Sequence, residues 1–123
     1  PVPHSLARSA MDLNIIVLSG RITTEPEFRT FPSGACLARY LVTVRSTEPR
    51  RRVDVVPVSL WDPPDDLLAQ SDIRGKSAWV VGSVQRRFWS TDSGARSRIE
   101  VIAHHVEIRE HPVPNSDEEP SVA

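Results

Sequence analysis

The sequence predicts an all-β domain in which five strands close into a barrel and one short helix separates the third strand from the fourth. Three observations carry that expectation. Cys36–Ser46 alternates with period two: Cys36, Ala38, Tyr40, Val42 and Val44 point one way, and Arg39, Thr43 and Arg45 the other. Further runs rich in β-branched residues recur between clusters of Gly, Pro, Asp and Ser, which punctuate strands. Strands and helices do not alternate, so a parallel α/β sheet is disfavoured.

Asn14–Thr24 (NIIVLSGRITT) is the first strand, bent at Gly20. Glu25-Pro26 starts a turn, and Phe31-Pro32-Ser33-Gly34 makes another. Cys36–Ser46 is the second strand. A polar connection over Thr47–Arg52 leads into the third, Val53–Trp61, so the two form a hairpin. Asp62 is suited to cap a helix whose first residue is Pro63, with Asp65 and Asp66 favoured at its positive end. That helix is expected to end near Asp72, with Gly75 as breaker. Ser77–Trp89 is the fourth strand, bent at Gly82; Ser90–Gly94 is a hairpin turn; Arg96–Ile108 is the fifth strand. Three strands, a helix and two strands is the order of the OB-fold, a barrel whose open face takes oligonucleotides or oligosaccharides.

A chain of 123 residues fits one such domain. We expect residues 1–10 to be a leader or disordered extension, 11–110 the folded domain, and 111–123 a disordered acidic, proline-rich tail. With 15 basic and 16 acidic residues the net charge is −1, so charge alone does not identify a nucleic-acid partner. The total hides an asymmetry. Met11–Glu110 holds 14 basic and 13 acidic residues, while the end adds Asp117, Glu118 and Glu119 with nothing basic. Lys76 is the only lysine; the other cations are arginines, whose planar guanidinium suits phosphate contact and stacking on bases. The single Cys36 excludes an intramolecular disulfide and is expected as a buried structural thiol. No apolar stretch approaches the length that spans a bilayer, and the expected location is the cytoplasm.

Several strings, taken in order, resemble the bacterial single-stranded-DNA-binding protein family. Gly20-Arg21 is followed by Glu25-Pro26-Glu27-Phe28-Arg29, Pro32-Ser33-Gly34 and Ala38-Arg39-Tyr40. Leu60-Trp61 opens a stretch to Gly75-Lys76-Ser77, then come Val80-Val81-Gly82, Trp89-Ser90-Thr91-Asp92-Ser93-Gly94 and Glu100-Val101. The resemblance implies sequence-independent binding of single-stranded DNA in replication, recombination or repair, association with the nucleoid, and assembly as a homotetramer. Leu37 and Leu41, on the nominally exposed side of the second strand, give indirect support for self-association. The chain also departs from the pattern. Val55 and Val56 stand where the family usually has an aromatic or His dipeptide, no tryptophan lies around Ser46–Glu48, and the acidic-hydrophobic tip common in the family is missing from Glu118–Ala123. It therefore reads as a divergent paralogue with a reduced stacking surface.

Binding of this kind needs outward aromatic rings beside cations. In the third strand Val56, Val58 and Leu60 form a core set, which turns Trp61 outward with Val55, Pro57 and Ser59. Trp61 is a stacking platform on that reading. Trp89, flanked by Arg86 and Arg87, is a second; Phe88 points the opposite way and serves another surface. Trp79, among Ala78, Val80 and Val81, is expected in the core or at a subunit contact. The phosphate-binding cations are expected among Arg39 and Arg45, the loop triplet Arg50, Arg51 and Arg52, Arg74, and the hairpin residues Arg86, Arg87, Arg96 and Arg98.

Enzymatic chemistry finds no support. His104 and His105 are adjacent on a strand, so they point to opposite faces and do not share a metal ion. Ser33-Gly34 and Ser93-Gly94 are turns without a general base at a characteristic spacing, and Asp65-Asp66 belong to the helix start. No cofactor, metal, membrane or small-molecule substrate is expected. The rival reading is an OB-fold protein-interaction module, primosome-like, with weak or no affinity for single strands.

Overall fold

The computed structural model describes residues 12–110; the expected leader and acidic tail lie outside them. Six strands and one helix follow in order: β1 Ile16–Ile22, β2 Glu27–Thr30, β3 Cys36–Ser46, β4 Arg52–Trp61, α1 Asp65–Ala69, β5 Ser77–Thr91 and β6 Gly94–Arg109. The sheet runs β1-β5-β6-β4-β3-β2, and β1 also pairs with β3, so five strands close into a ring with β2 on its outer edge. All pairings are antiparallel except β4 with β6, which are parallel at Val58↔Val101 and Ser59↔Ile102. Closure leaves few free strand edges. The OB-fold expectation holds.

Alternation fills the ring. Ala38, Tyr40 and Val42 from β3, Val58 and Leu60 from β4, Ala78 and Val80 from β5, and Val101, Ala103 and Val106 from β6 meet Ile22 in one core. Leu67 of the short helix and Ile73 close one end. Two glycines let strands approach more closely than side chains permit. A Cβ on Gly20 would lie 2.3 Å from the Thr43 carbonyl oxygen, and one on Gly82 would lie 2.1 Å from that of Ile102. Gly82 sits where the β5–β6 register shifts, which is the bend expected there. Beyond it the two strands continue as a long two-stranded arm to Thr91 and Gly94. Asn14 fastens the base of the arm: its amide donates to the Val84 carbonyl at 2.8 Å and its side-chain oxygen accepts from the Val84 N–H at 2.9 Å.

Several expectations need correction. The sixth strand, β2, occupies the segment between the two expected turns; its four residues are all exposed and it pairs only with β3, so it shows no apolar alternation. The helix starts at Asp65, two residues later than the expected Pro63, and ends at Ala69, not near Asp72. Pro63 precedes Pro64, and a residue before proline is pushed out of helical conformation, so the helix begins only beyond Pro64. Asp62 instead takes φ 49° and clasps the start of β3: its carboxylate accepts from the Cys36 N–H at 3.0 Å, and its own N–H donates to the Cys36 carbonyl at 2.6 Å. Cys36 is half-buried rather than sealed, and Leu37, expected on an exposed side, is buried. His104 and His105 are both exposed, because the register shift beside Gly82 breaks the alternation of β6 there. No group of metal ligands forms among the described residues.

Candidate nucleic-acid interface

Register fixes which side chains share the outer face of the ring. Across β2, β3 and β4, Arg29 lies opposite Leu37, which lies opposite Trp61; Glu27, Arg39 and Ser59 make the next row. Leu41–Pro57, Thr43–Val55 and Arg45–Val53 continue along β3. Ser59 pairs with Ile102 of β6, and from there the same face passes through Glu100, Arg98 and Arg96 to Gln85, Arg87 and Trp89 on the arm. One unbroken outer face thus carries both Trp61 and Trp89. Trp61 is 45% exposed and Trp89 41%.

Each ring is held by a neighbour. Phe31, in the turn after β2, packs against Trp61 with centroids 5.5 Å apart and planes tilted by 34°, and the Arg29 guanidinium lies 5.8 Å over the Phe31 ring. On the arm, the Arg98 guanidinium lies 5.8 Å over Trp89. A ring already braced on one side loses little rotamer freedom when a base stacks on it. Phe31 and Arg29 escape the sequence reading because the strand that aligns them, β2, does. Its signal is the register that a four-residue strand between two proline turns would impose, with Arg29 beside Leu37.

Phe88 pairs with Ser97 on the opposite face of the arm and is strongly exposed, together with Ile99. Trp79 is half exposed, not in the core, on the outer side of β5 facing Glu107 of β6. It borders a cavity of about 290 Å³ with Val81, His105, Glu107 and Arg109.

The arginines divide by partner. Arg52 is bound to Asp54 through two contacts of 2.8 and 3.1 Å, Arg74 lies 3.5 Å from Glu25, and Arg87 lies 3.5 Å from the buried Glu100. These three expected cations are locally neutralised. Arg86 donates to Ser97 at 3.1 Å and Arg96 to Ser93 at 3.3 Å, contacts that orient them without cancelling charge. Arg39, Arg45, Arg50 and Arg51 have no carboxylate within 4.0 Å among the described residues. Arg39 borders two cavities, of about 340 and 430 Å³, that flank β2. The arrangement can hold an extended polyanion with planar bases. No helix among the described residues is long and apolar enough to cross a membrane.

Comparison with known proteins agrees. The sequence profile of the single-strand binding protein family matches residues 13–109. Among curated proteins, the "Single-stranded DNA-binding protein" of Treponema pallidum is 28% identical over 106 residues, covering 79% of this chain and 58% of that protein. "Single-stranded DNA-binding protein 2" of Listeria innocua is 31% identical over 103 residues, covering 80% and 65%. The chain therefore spans less than two thirds of the length of either relative. Among solved structures, the Plasmodium falciparum SSB in complex with ssDNA superposes with a TM-score of 0.66 at 23% identity, covering 85% of this chain and 99% of that one. The single-stranded DNA binding protein of Thermus aquaticus superposes with a TM-score of 0.71 at 21% identity, covering 82% and 52%. The order of motifs, the ring of strands and the match across 13–109 together establish that the chain belongs to the single-strand binding protein family.

Proposed function

We propose that this protein binds single-stranded DNA without sequence preference and without catalysis, using Trp61 and Trp89 as base platforms and arginines as phosphate contacts. The observation that carries the reading is that both tryptophans stand part-exposed on one outer face, each braced by a neighbour, with cations around them. Stacking on aromatic rings tolerates any base, which is why such a face binds without reading sequence. Arg39, Arg45, Arg50, Arg51, Arg86, Arg96 and Arg98 supply phosphate contacts; Arg52, Arg74 and Arg87 contribute less, since each shares its charge with a carboxylate. Phe88 extends the contact to the other face of the arm. The biological setting in this proposal is replication, recombination or repair at the nucleoid.

Homo-oligomer formation, as a tetramer, is part of the same proposal. Val17, Trp79 and Val81 leave an exposed apolar cluster on the outer side of β1 and β5, away from the Trp61 end of the face. Titration with oligo-dT tests the binding: tryptophan emission is quenched, and affinity falls steeply with salt. Unchanged emission at low salt removes the reading and favours a protein-interaction role, for which the exposed Val53 and Val55 would serve as contact. Native mass spectrometry of the same samples reads the number of copies.

A further inference from the structure

At the end of β3 farthest from Trp61, β1 and β3 meet over an open cleft of about 390 Å³ lined by Ser19, Gly20, Arg21, Thr43 and Arg45. Two arginines from different strands converge there, and no carboxylate belongs to the lining. Arg21 pairs directly with Thr43, and Arg45 lies two residues farther along the same face of β3. Neither arginine has a carboxylate within 4.0 Å among the described residues, unlike Arg52, Arg74 and Arg87. Thr43, largely buried, lies between them in the register, and its hydroxyl is held by that of Thr23 at 3.2 Å. The convergence depends on Gly20: with any side chain there, the Cβ would press on the Thr43 carbonyl and force the strands apart. Across β3 the facing residues are Val53 and Val55, half exposed and without a ring, so this stretch of the outer face offers charge and hydroxyls in place of stacking.

We infer that Arg21 and Arg45 form a two-pronged phosphodiester site that receives the backbone of a single strand leaving the Trp61 platform along β3. The inference rests on the proposed binding of single-stranded DNA and adds Arg21 to the arginines that contact phosphate. From Leu37, beside Trp61, to Arg45 the strand covers about 26 Å at about 3.3 Å per residue, so the cleft is a separate contact and not an extension of the platform. Two guanidiniums lining one cleft match the paired oxygens of a phosphodiester.

The test compares wild type with Arg21→Gln, Arg45→Gln and the double variant, titrated with long oligo-dT over a range of salt, reading tryptophan quenching. Removing one phosphate-binding arginine should lower the slope of log affinity against log salt by about 0.7, and removing both by about 1.4. The saturating quench stays at the wild-type level, since neither tryptophan lines the cleft. The double Arg→Lys variant keeps the charge and restores the slope even where the Gln variants fold poorly. An unchanged slope in the Gln variants, or an equal fall in slope in the Lys variant, overturns the inference while leaving the stacking reading intact. A wild-type protein that shows no quenching at low salt removes both.

Discussion

Replacing Trp89 by alanine isolates one stacking contact with little disturbance of the fold. Trp89 sits on the arm, beyond the closed ring, and takes no part in the core that Tyr40, Val58 and Val80 build. Its ring contact is the Arg98 guanidinium at 5.8 Å, and an exposed cation–π pair is worth about 0.5–1 kcal/mol. Loss of that contact accounts for at most about 1 kcal/mol of stability, a shift in melting temperature of roughly 4–8 °C or less. The affinity cost is larger. For proteins of this class a stacked base is worth about 1–3 kcal/mol, a general figure rather than one derived from this chain. That converts to roughly a 5- to 160-fold rise in Kd. Fluorescence anisotropy of labelled oligo-dT at fixed salt gives the ratio, with Trp89→Phe as the companion variant that keeps a ring and most of the affinity. A Kd for Trp89→Ala within about twofold of wild type, in a protein that melts normally, refutes the assignment of this ring to a base.

Three further outcomes follow from the same geometry. Variants that retain one tryptophan, the other two changed to phenylalanine, should show quenching by oligo-dT with Trp61 or Trp89 alone but not with Trp79 alone, although Trp79 is the most exposed of the three at 51%; quenching of Trp79 alone would move the interface to the β1–β5 side. Gly20→Ala and Gly82→Ala each drive a Cβ into backbone, at 2.3 and 2.1 Å from a carbonyl oxygen, and should cost at least about 1–3 kcal/mol in thermal melts, with little loss from Gly34→Ala beyond its strained φ of 94°. Burial, helped by the Asp66 carboxylate, raises the Tyr40 hydroxyl above its ordinary 10.0; the folded state then holds its proton longer than the unfolded one, so stability is intact below pH 10.0 and declines as pH rises past it. Melts across that range, compared with Tyr40→Phe, read the difference, and an identical decline in the phenylalanine variant would clear Tyr40.

Most of the ring was legible because its core strands obey one period. Val58 and Leu60 buried and Trp61 outward follow from alternation, and the turn at Asp92-Ser93 follows from its residues. What escaped shares a physical cause: it depends on residues remote in sequence. β2 has no apolar face of its own and exists because β3 offers it an edge. Phe31 matters only through its contact with Trp61, thirty positions away. Trp79 looked internal because Ala78, Val80 and Val81 around it form an apolar run, and such a run hides which side each residue faces. Asp62 read as a helix cap until the second proline shifted the helix start, leaving its carboxylate to bind the start of β3. The cations were identifiable as arginines, but their availability was not, since Glu25, Asp54 and Glu100 choose their partners only in three dimensions.

That choice of partners resolves the apparent conflict between a nearly neutral chain and a polyanionic ligand. Asp54, Glu25, Glu100, Glu107 and Glu110 are each held by a cation, respectively Arg52, Arg74, Arg87, Arg109 and Lys76. Such pairs remove equal numbers of positive and negative charges and leave the balance of the whole unchanged. What they alter is its distribution: Arg39, Arg45, Arg96 and Arg98 remain uncompensated within 4.0 Å among the described residues, and all four lie on the face that carries Trp61 and Trp89. At about 0.1 M salt, charges separated by more than about 10 Å are largely screened, so a strand lying on this face responds to its near neighbours and not to the total. A near-zero sum is then compatible with a strongly salt-dependent contact, and the steepness of that dependence counts the unpaired arginines the strand touches.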